Sequence, residues 1–167
     1  MSQRTRILFA LLVLAVIALA VLATEVLRHR LGSTSPLAEV SLAPGNVPLY
    51  LDGRLVGGFS PDDLSKLTQI SFIDAEEGKT QEGWSLRDII LLYIPANRLK
   101  QTSLVIVSSS SRNKSAELTW AEVDDSANRV MFDLAGRGTL KLVSLLERLD
   151  IRDEWIQDVD RIEVTSP

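Results

Sequence analysis

Apolar side chains fall into two regimes along this chain. From Ile7 to Ala23 they form an unbroken run of 17 residues, and Thr24, Glu25, Val26 and Leu27 extend it to 21. A helix of that length covers about 31 Å, close to the roughly 30 Å hydrocarbon core of a bilayer. The run has no polar face, so it predicts a helix that spans a membrane rather than one that lies in its interface. Beyond it the apolar positions come in short runs separated by turn residues. These predict a folded domain of short strands and helices.

The chain divides on this pattern into a tail (1–6), a transmembrane helix (7–27), a linker (28–46) and a domain (47–167). Gly32, Pro36, Pro44 and Gly45 break helix in the linker. Arg4 and Arg6 before the apolar run, with Ala18-Leu19-Ala20 inside it, also fit a cleavable signal peptide. The run is longer than a usual signal-peptide core, which favours an uncleaved anchor. Arg28 and Arg30 balance the leading arginines, so charge barely biases orientation. A short tail, one anchor and a large following domain place that domain outside the cytoplasm, in the periplasm or the extracellular space.

Within the domain, Val47–Leu51 and Arg54–Phe59 flank Asp52-Gly53, a two-residue hairpin signal. Ser60-Pro61-Asp62-Asp63 starts a short helix ending near Leu67. Gln69–Ile73 alternates as a strand, and Glu76-Glu77-Gly78-Lys79 turns the chain. Ser85, with Asp88 three residues on, caps a helix over Leu86–Tyr93 that Pro95 closes. Ser103–Val107 predicts a central strand, Ser115–Thr119 its partner, and Thr119 caps one turn through Val123. Arg129–Leu134, Thr139–Val143 and Arg161–Thr165 complete the strands, while Leu145–Trp155 reads as either helix or loop. The fold class is α+β, with a mixed or antiparallel sheet.

Composition narrows the chemistry. The 167 residues contain no cysteine and one histidine, His29, beside the membrane run. Disulfide scaffolds, cysteine nucleophiles and zinc–cysteine sites are excluded, and histidine triads nearly so. Residues 31–167 hold 21 acids and 14 bases, a net charge of −7. Such a domain attracts neither nucleic acid nor anionic lipid as a whole.

The order of these elements resembles the molybdopterin-binding domain of the sulfite-oxidase-like family. The resemblance rests on Ser60-Pro61-Asp62-Asp63-Leu64, Gly83-Trp84-Ser85-Leu86-Arg87-Asp88-Ile89-Ile90 and Leu118–Val123. Towards the end it rests on Gly138–Val143, Trp155-Ile156 and Arg161-Ile162-Glu163-Val164. It covers about 118 residues, nearly the whole predicted domain. In the family's catalytic members a cysteine thiolate ligates molybdenum, and this chain has none. The resemblance therefore implies the fold without sulfite or nitrate chemistry, no catalytic residue, and no expected cofactor or metal. Molybdopterin enters only as a carry-over from the family.

Two loops carry candidate binding groups. Ser109, Ser110, Arg112 and Lys114 offer hydroxyls, amides and cations to an anion, and Arg137 sits in a glycine-flanked turn at Gly136–Thr139. Both loops also read as ordinary solvated turns. Trp84, Trp120 and Trp155 are expected to pack the rim of the core rather than contact a ligand. The acid pairs, such as Asp124-Asp125 and Asp153-Glu154, are expected at the surface. The sequence thus predicts a single-pass membrane protein displaying a non-catalytic binding or interaction module, an accessory subunit of a membrane complex. The alternatives are a binder of a small ligand or pterin-like anion and, behind it, a molybdopterin-dependent oxidoreductase with an unfamiliar ligand set. Expected partners are membrane lipid along residues 7–27 and a membrane protein, with no nucleic acid.

Overall fold

The computed structural model describes residues 42–134 and 136–167. The predicted membrane run, residues 7–27, and most of the linker lie outside the described residues. No helix among the described residues is long and apolar enough to cross a membrane. The described part is α+β, built on two sheets.

The chain opens on a hairpin of β1 (Val47–Leu51) and β2 (Arg54–Phe59). Asp52 (φ 51°) and Gly53 (φ 74°) both occupy the left-handed region, which a tight two-residue turn requires. A short helix α1 (Pro61–Leu64) follows. The backbone N–H and hydroxyl of Ser60 both donate to the Asp63 carboxylate, each at 3.0 Å. This helix stops three residues before the expected Leu67, which closes only a single further turn on Leu64.

Strand β3 (Gln69–Ile73) has the expected bounds. It pairs antiparallel with β4 (Thr80–Ser85), which the hydropathy pattern did not reveal. Helix α2 (Leu86–Leu91) begins where Ser85 accepts the Asp88 N–H at 3.4 Å, and it ends two residues before Tyr93. Strand β5 runs over Leu104–Ser109, one residue later than expected at its start and two at its end. It pairs with β6 (Lys114–Thr119). Helix α3 (Trp120–Asp124) carries a reciprocal cap: Thr119 N–H donates to Glu122 at 2.8 Å, and Glu122 N–H donates back to the Thr119 hydroxyl at 3.3 Å. Strands β7 (Met131–Leu134) and β8 (Leu140–Val143) form a hairpin. Residues 145–155 resolve into two 3₁₀ turns, Glu147–Leu149 and Arg152–Glu154, before β9 (Arg161–Thr165).

One sheet has the order β2-β1-β9-β5-β6, and the other β3-β4-β7-β8. In the first, β9 runs parallel to β1 and antiparallel to β5, so the sheet is mixed. The second is antiparallel throughout. Leu49, Phe59, Val105, Val107, Ile162 and Val164 of the first sheet share one buried cluster with Phe132, Leu140 and Leu142 of the second. Ile89 and Ile90 of α2 join it. Burial of this kind is the main favourable term in folding.

The antiparallel sheet is covered on its other face as well. Met131, Val143 and Trp155 form a second, smaller cluster there with Ile70 and Phe72. A polar group lies among these apolar neighbours. Lys141 pairs with Asp133, directly opposite on β7, at 2.9 Å, and donates to Gln81 of β4 at 3.0 Å. Its ammonium also lies 4.6 Å from the centre of the Trp155 ring. Gly83 of β4 allows close strand approach: a Cβ there would sit 1.8 Å from the Phe132 carbonyl oxygen.

Candidate functional site

The two loops that carry candidate cations in the sequence meet in the fold. Strand β5 passes through a tight turn to β6, with Asn113 in the left-handed region at φ 50°. The Ser110 N–H donates to Asp160 at 2.8 Å, and the Asp160 N–H donates to the Ser108 carbonyl at 3.0 Å. Those bonds fix the loop against the segment that leads into β9.

Asp158 then joins this loop to the one between β7 and β8. It accepts from Arg112 Nε at 2.7 Å and from the Thr139 hydroxyl at 2.8 Å. Its backbone is itself left-handed, at φ 55°. The Thr139 bond, then the Arg112 bond, with the nearby Arg137 charge adding to them, hold its carboxyl below the ordinary aspartate range. Asp158 is thus a fixed anion that aims one guanidinium and anchors the neighbouring loop.

Around this pair lies a cleft of two adjoining lobes, of about 230 and 240 Å³. Arg112, Arg152 and Gln157 line both lobes. Lys114 and Trp155 contribute to the first, and Arg137 and Lys141 to the second. Five cations line the cleft with two carboxylates, Asp153 and Asp158, and two of the cations, Arg152 and Lys141, are paired with Glu77 and Asp133 from outside the lining.

Each cation is held differently. Lys114 donates to the Asp153 carbonyl oxygen. Arg152 pairs with Glu77 at 2.9 Å, and its backbone N–H donates to Glu76 at 3.0 Å. Among the described residues Arg137 makes no ion pair. Trp155 is 3% exposed, and its indole Nε1 is buried with no hydrogen-bond partner among the described residues.

Of the five candidates from the sequence, Arg112, Lys114 and Arg137 come together here. Ser109 and Ser110 do not line the cleft. The Ser109 side chain is buried, 3.2 Å from the Ser111 hydroxyl, and the Ser110 hydroxyl donates to Asp160. Arg152, Lys141, Gln157 and Asp158 are the lining residues that sequence reasoning missed. Arg152 falls in the stretch that reads as either helix or loop, and no local spacing links it to residue 112. Trp84, Trp120 and Trp155 are all buried, and Trp155 also lines the first lobe of the cleft.

A larger cavity of about 470 Å³ lies elsewhere, beside α2 and α3. There Arg87 is spent on Asp124 at 2.6 Å and on Asp88 at 3.1 Å, and Asp125 adds a further carboxylate. With Arg129, two cations face three carboxylates there, so the cavity has no cationic excess and size alone does not make it the better site for an anion. Among the described residues no three His, Cys, Asp or Glu side chains are grouped to hold a metal ion. No family model matches this chain, and no curated protein matches it.

Proposed function

We propose that this protein is a membrane-tethered, non-catalytic binding module whose ligand is an anion held between the β5–β6 and β7–β8 loops. The observation that carries the reading is the convergence of Arg112, Lys114 and Arg137 on one cleft, with Asp158 joining the loops. The apolar run at residues 7–27 supplies the tether, and the domain stands outside the cytoplasm. The domain has the sulfite-oxidase-like molybdopterin fold without its metal chemistry. The two-sheet α+β architecture supports that reading at the level of fold class alone.

The molybdenum half of the family's cofactor does not fit. A soft, high-valent metal bound through a dithiolene takes a thiolate from the protein, and the chain has no cysteine. The cleft offers guanidinium, ammonium and amide groups, which suit the oxygens of an anion.

A second reading, an accessory subunit of a membrane complex, is favoured by β3. This strand is an edge of its sheet, and its Ile73 is 68% exposed. Native mass spectrometry of the full chain, released gently from its own membrane, tests both readings. An added mass of several hundred daltons is expected for the anion, and an added polypeptide for the subunit. A chain that carries neither overturns the binding module.

A further inference from the structure

We infer that the two-lobed cleft is a clamp for a phosphate-type dianion, gripped from both lobes by guanidinium groups. The inference rests on the binding-module reading and names its ligand class. An arginine side chain has five N–H donors in a fixed fork. Among the described residues, Arg112 uses Nε on Asp158 and Arg152 uses NH1 on Glu77. Their remaining side-chain donors, and all those of Arg137, are unspent. Asp158, which itself lines the second lobe, and Glu77 orient the Arg112 and Arg152 guanidiniums in advance, which lowers the ordering cost of binding.

The arrangement selects among anions. A carboxylate presents two oxygens in one plane. A phosphate group presents three or four oxygens in a tetrahedron, so it can accept from donors on several sides at once. Arg112 and Arg152 line both lobes, while Lys114 approaches from one lobe and Arg137 from the other. Gln157, shared by the lobes, adds an uncharged amide. Each lobe has about 230 to 240 Å³, more than the group itself fills, which leaves room for the body of a phosphate ester. The same phosphomonoester chemistry is carried by a soluble ester and by a lipid headgroup such as phosphatidic acid.

The test uses the full chain and follows thermal unfolding through its three tryptophans. In one arm the protein, in non-ionic detergent, is titrated with inorganic phosphate to about 10 mM, with sodium chloride at matched ionic strength as the reference. In the other it is placed in phosphatidylcholine nanodiscs with and without phosphatidic acid, whose headgroup is a phosphomonoester. Ligand that binds only the folded state raises the midpoint. Phosphate is expected to raise it above the chloride reference if the source is soluble. Phosphatidic acid is expected to raise it if the source is a headgroup.

In either case Arg137→Ala is expected to weaken the apparent affinity about tenfold, the loss of one charge-assisted contact. Arg152→Gln should act in the same direction, and Arg54→Ala, on the exposed start of β2, should leave the response unchanged. Stabilisation in neither arm overturns the clamp. So does stabilisation that survives both Arg137→Ala and Arg152→Gln. A chain that fails this test yet leaves its membrane with a different bound mass retains the binding-module reading without the phosphate clamp.

Discussion

Asp158 holds Arg112 at 2.7 Å, and through this bond a loop between two strands of one sheet is tied to the approach to β9. The same carboxylate binds Thr139 of the other sheet's hairpin loop. Asp158→Asn keeps a residue tolerant of the left-handed backbone while removing the charge. Arg112 is more than a third exposed, so screening limits the loss to about 0.5–1 kcal/mol. Asp158→Ala adds about 1 kcal/mol of backbone cost. Thermal melts of the two variants should fall in that order. Equal midpoints would show that the φ of 55° carries no cost.

Glu122 is the group whose titration should be felt most. Its bond to Arg148 and its two bonds to Thr119 bring its pKa down to about 2 from an ordinary 4.5, against the opposing effect of burial. The folded state therefore prefers the ionised form. The stability contributed is complete above about pH 4.5 and is lost as the pH falls through about 2. Its size is on the order of 1–3 kcal/mol, since the pair is only partly buried. Acid titration of the melting midpoint should be flatter over that window for Glu122→Gln than for the parent chain.

Lys141 lies under Trp155, paired with Asp133 and bonded to Gln81. Lys141→Met leaves a largely buried carboxylate without its partner, and is expected to cost about 2–4 kcal/mol. The double change Lys141→Met with Asp133→Leu should recover most of that loss. A double-mutant cycle measures the coupling. Additive losses would mean that the pair acts independently.

Gly83→Ala is expected to be the most damaging single methyl group in the domain. The new carbon would meet the Phe132 carbonyl at 1.8 Å, and backbone rather than a flexible side chain must give way. A loss of about 3 kcal/mol or more follows from overpacking combined with a broken ladder. Denaturant unfolding checks it, and a cost under about 1 kcal/mol would indicate that β4 and β7 can separate freely.

Much of this fold is legible from local chemistry. The Asp52-Gly53 turn, the caps at Ser60, Ser85 and Thr119, and strands β3 and β9 all follow from residues within a few positions of one another. Strand β4 escapes the pattern because its buried positions include Gln81 and Gly83 beside Trp84. Gln81 is tolerated inside only because Lys141, sixty positions later, satisfies it. The candidate cleft was half legible for the same reason. Arg112, Lys114 and Arg137 stand in turns that announce themselves, whereas Asp158 and Arg152 enter only through tertiary contacts.

Strand β9 occupies the middle of its sheet, between a hairpin made at the start of the domain and one made halfway along it. During synthesis both hairpins are made long before Arg161–Thr165 can reach them, so each must wait with a naked edge. Leu49 finds Ile162 only across more than a hundred intervening positions. Such pairings are slow and prone to aggregation. Strand β9 therefore acts as a keystone: without Arg161–Thr165, β1 and β5 are each left with an unpaired edge, the kind of surface on which other chains add.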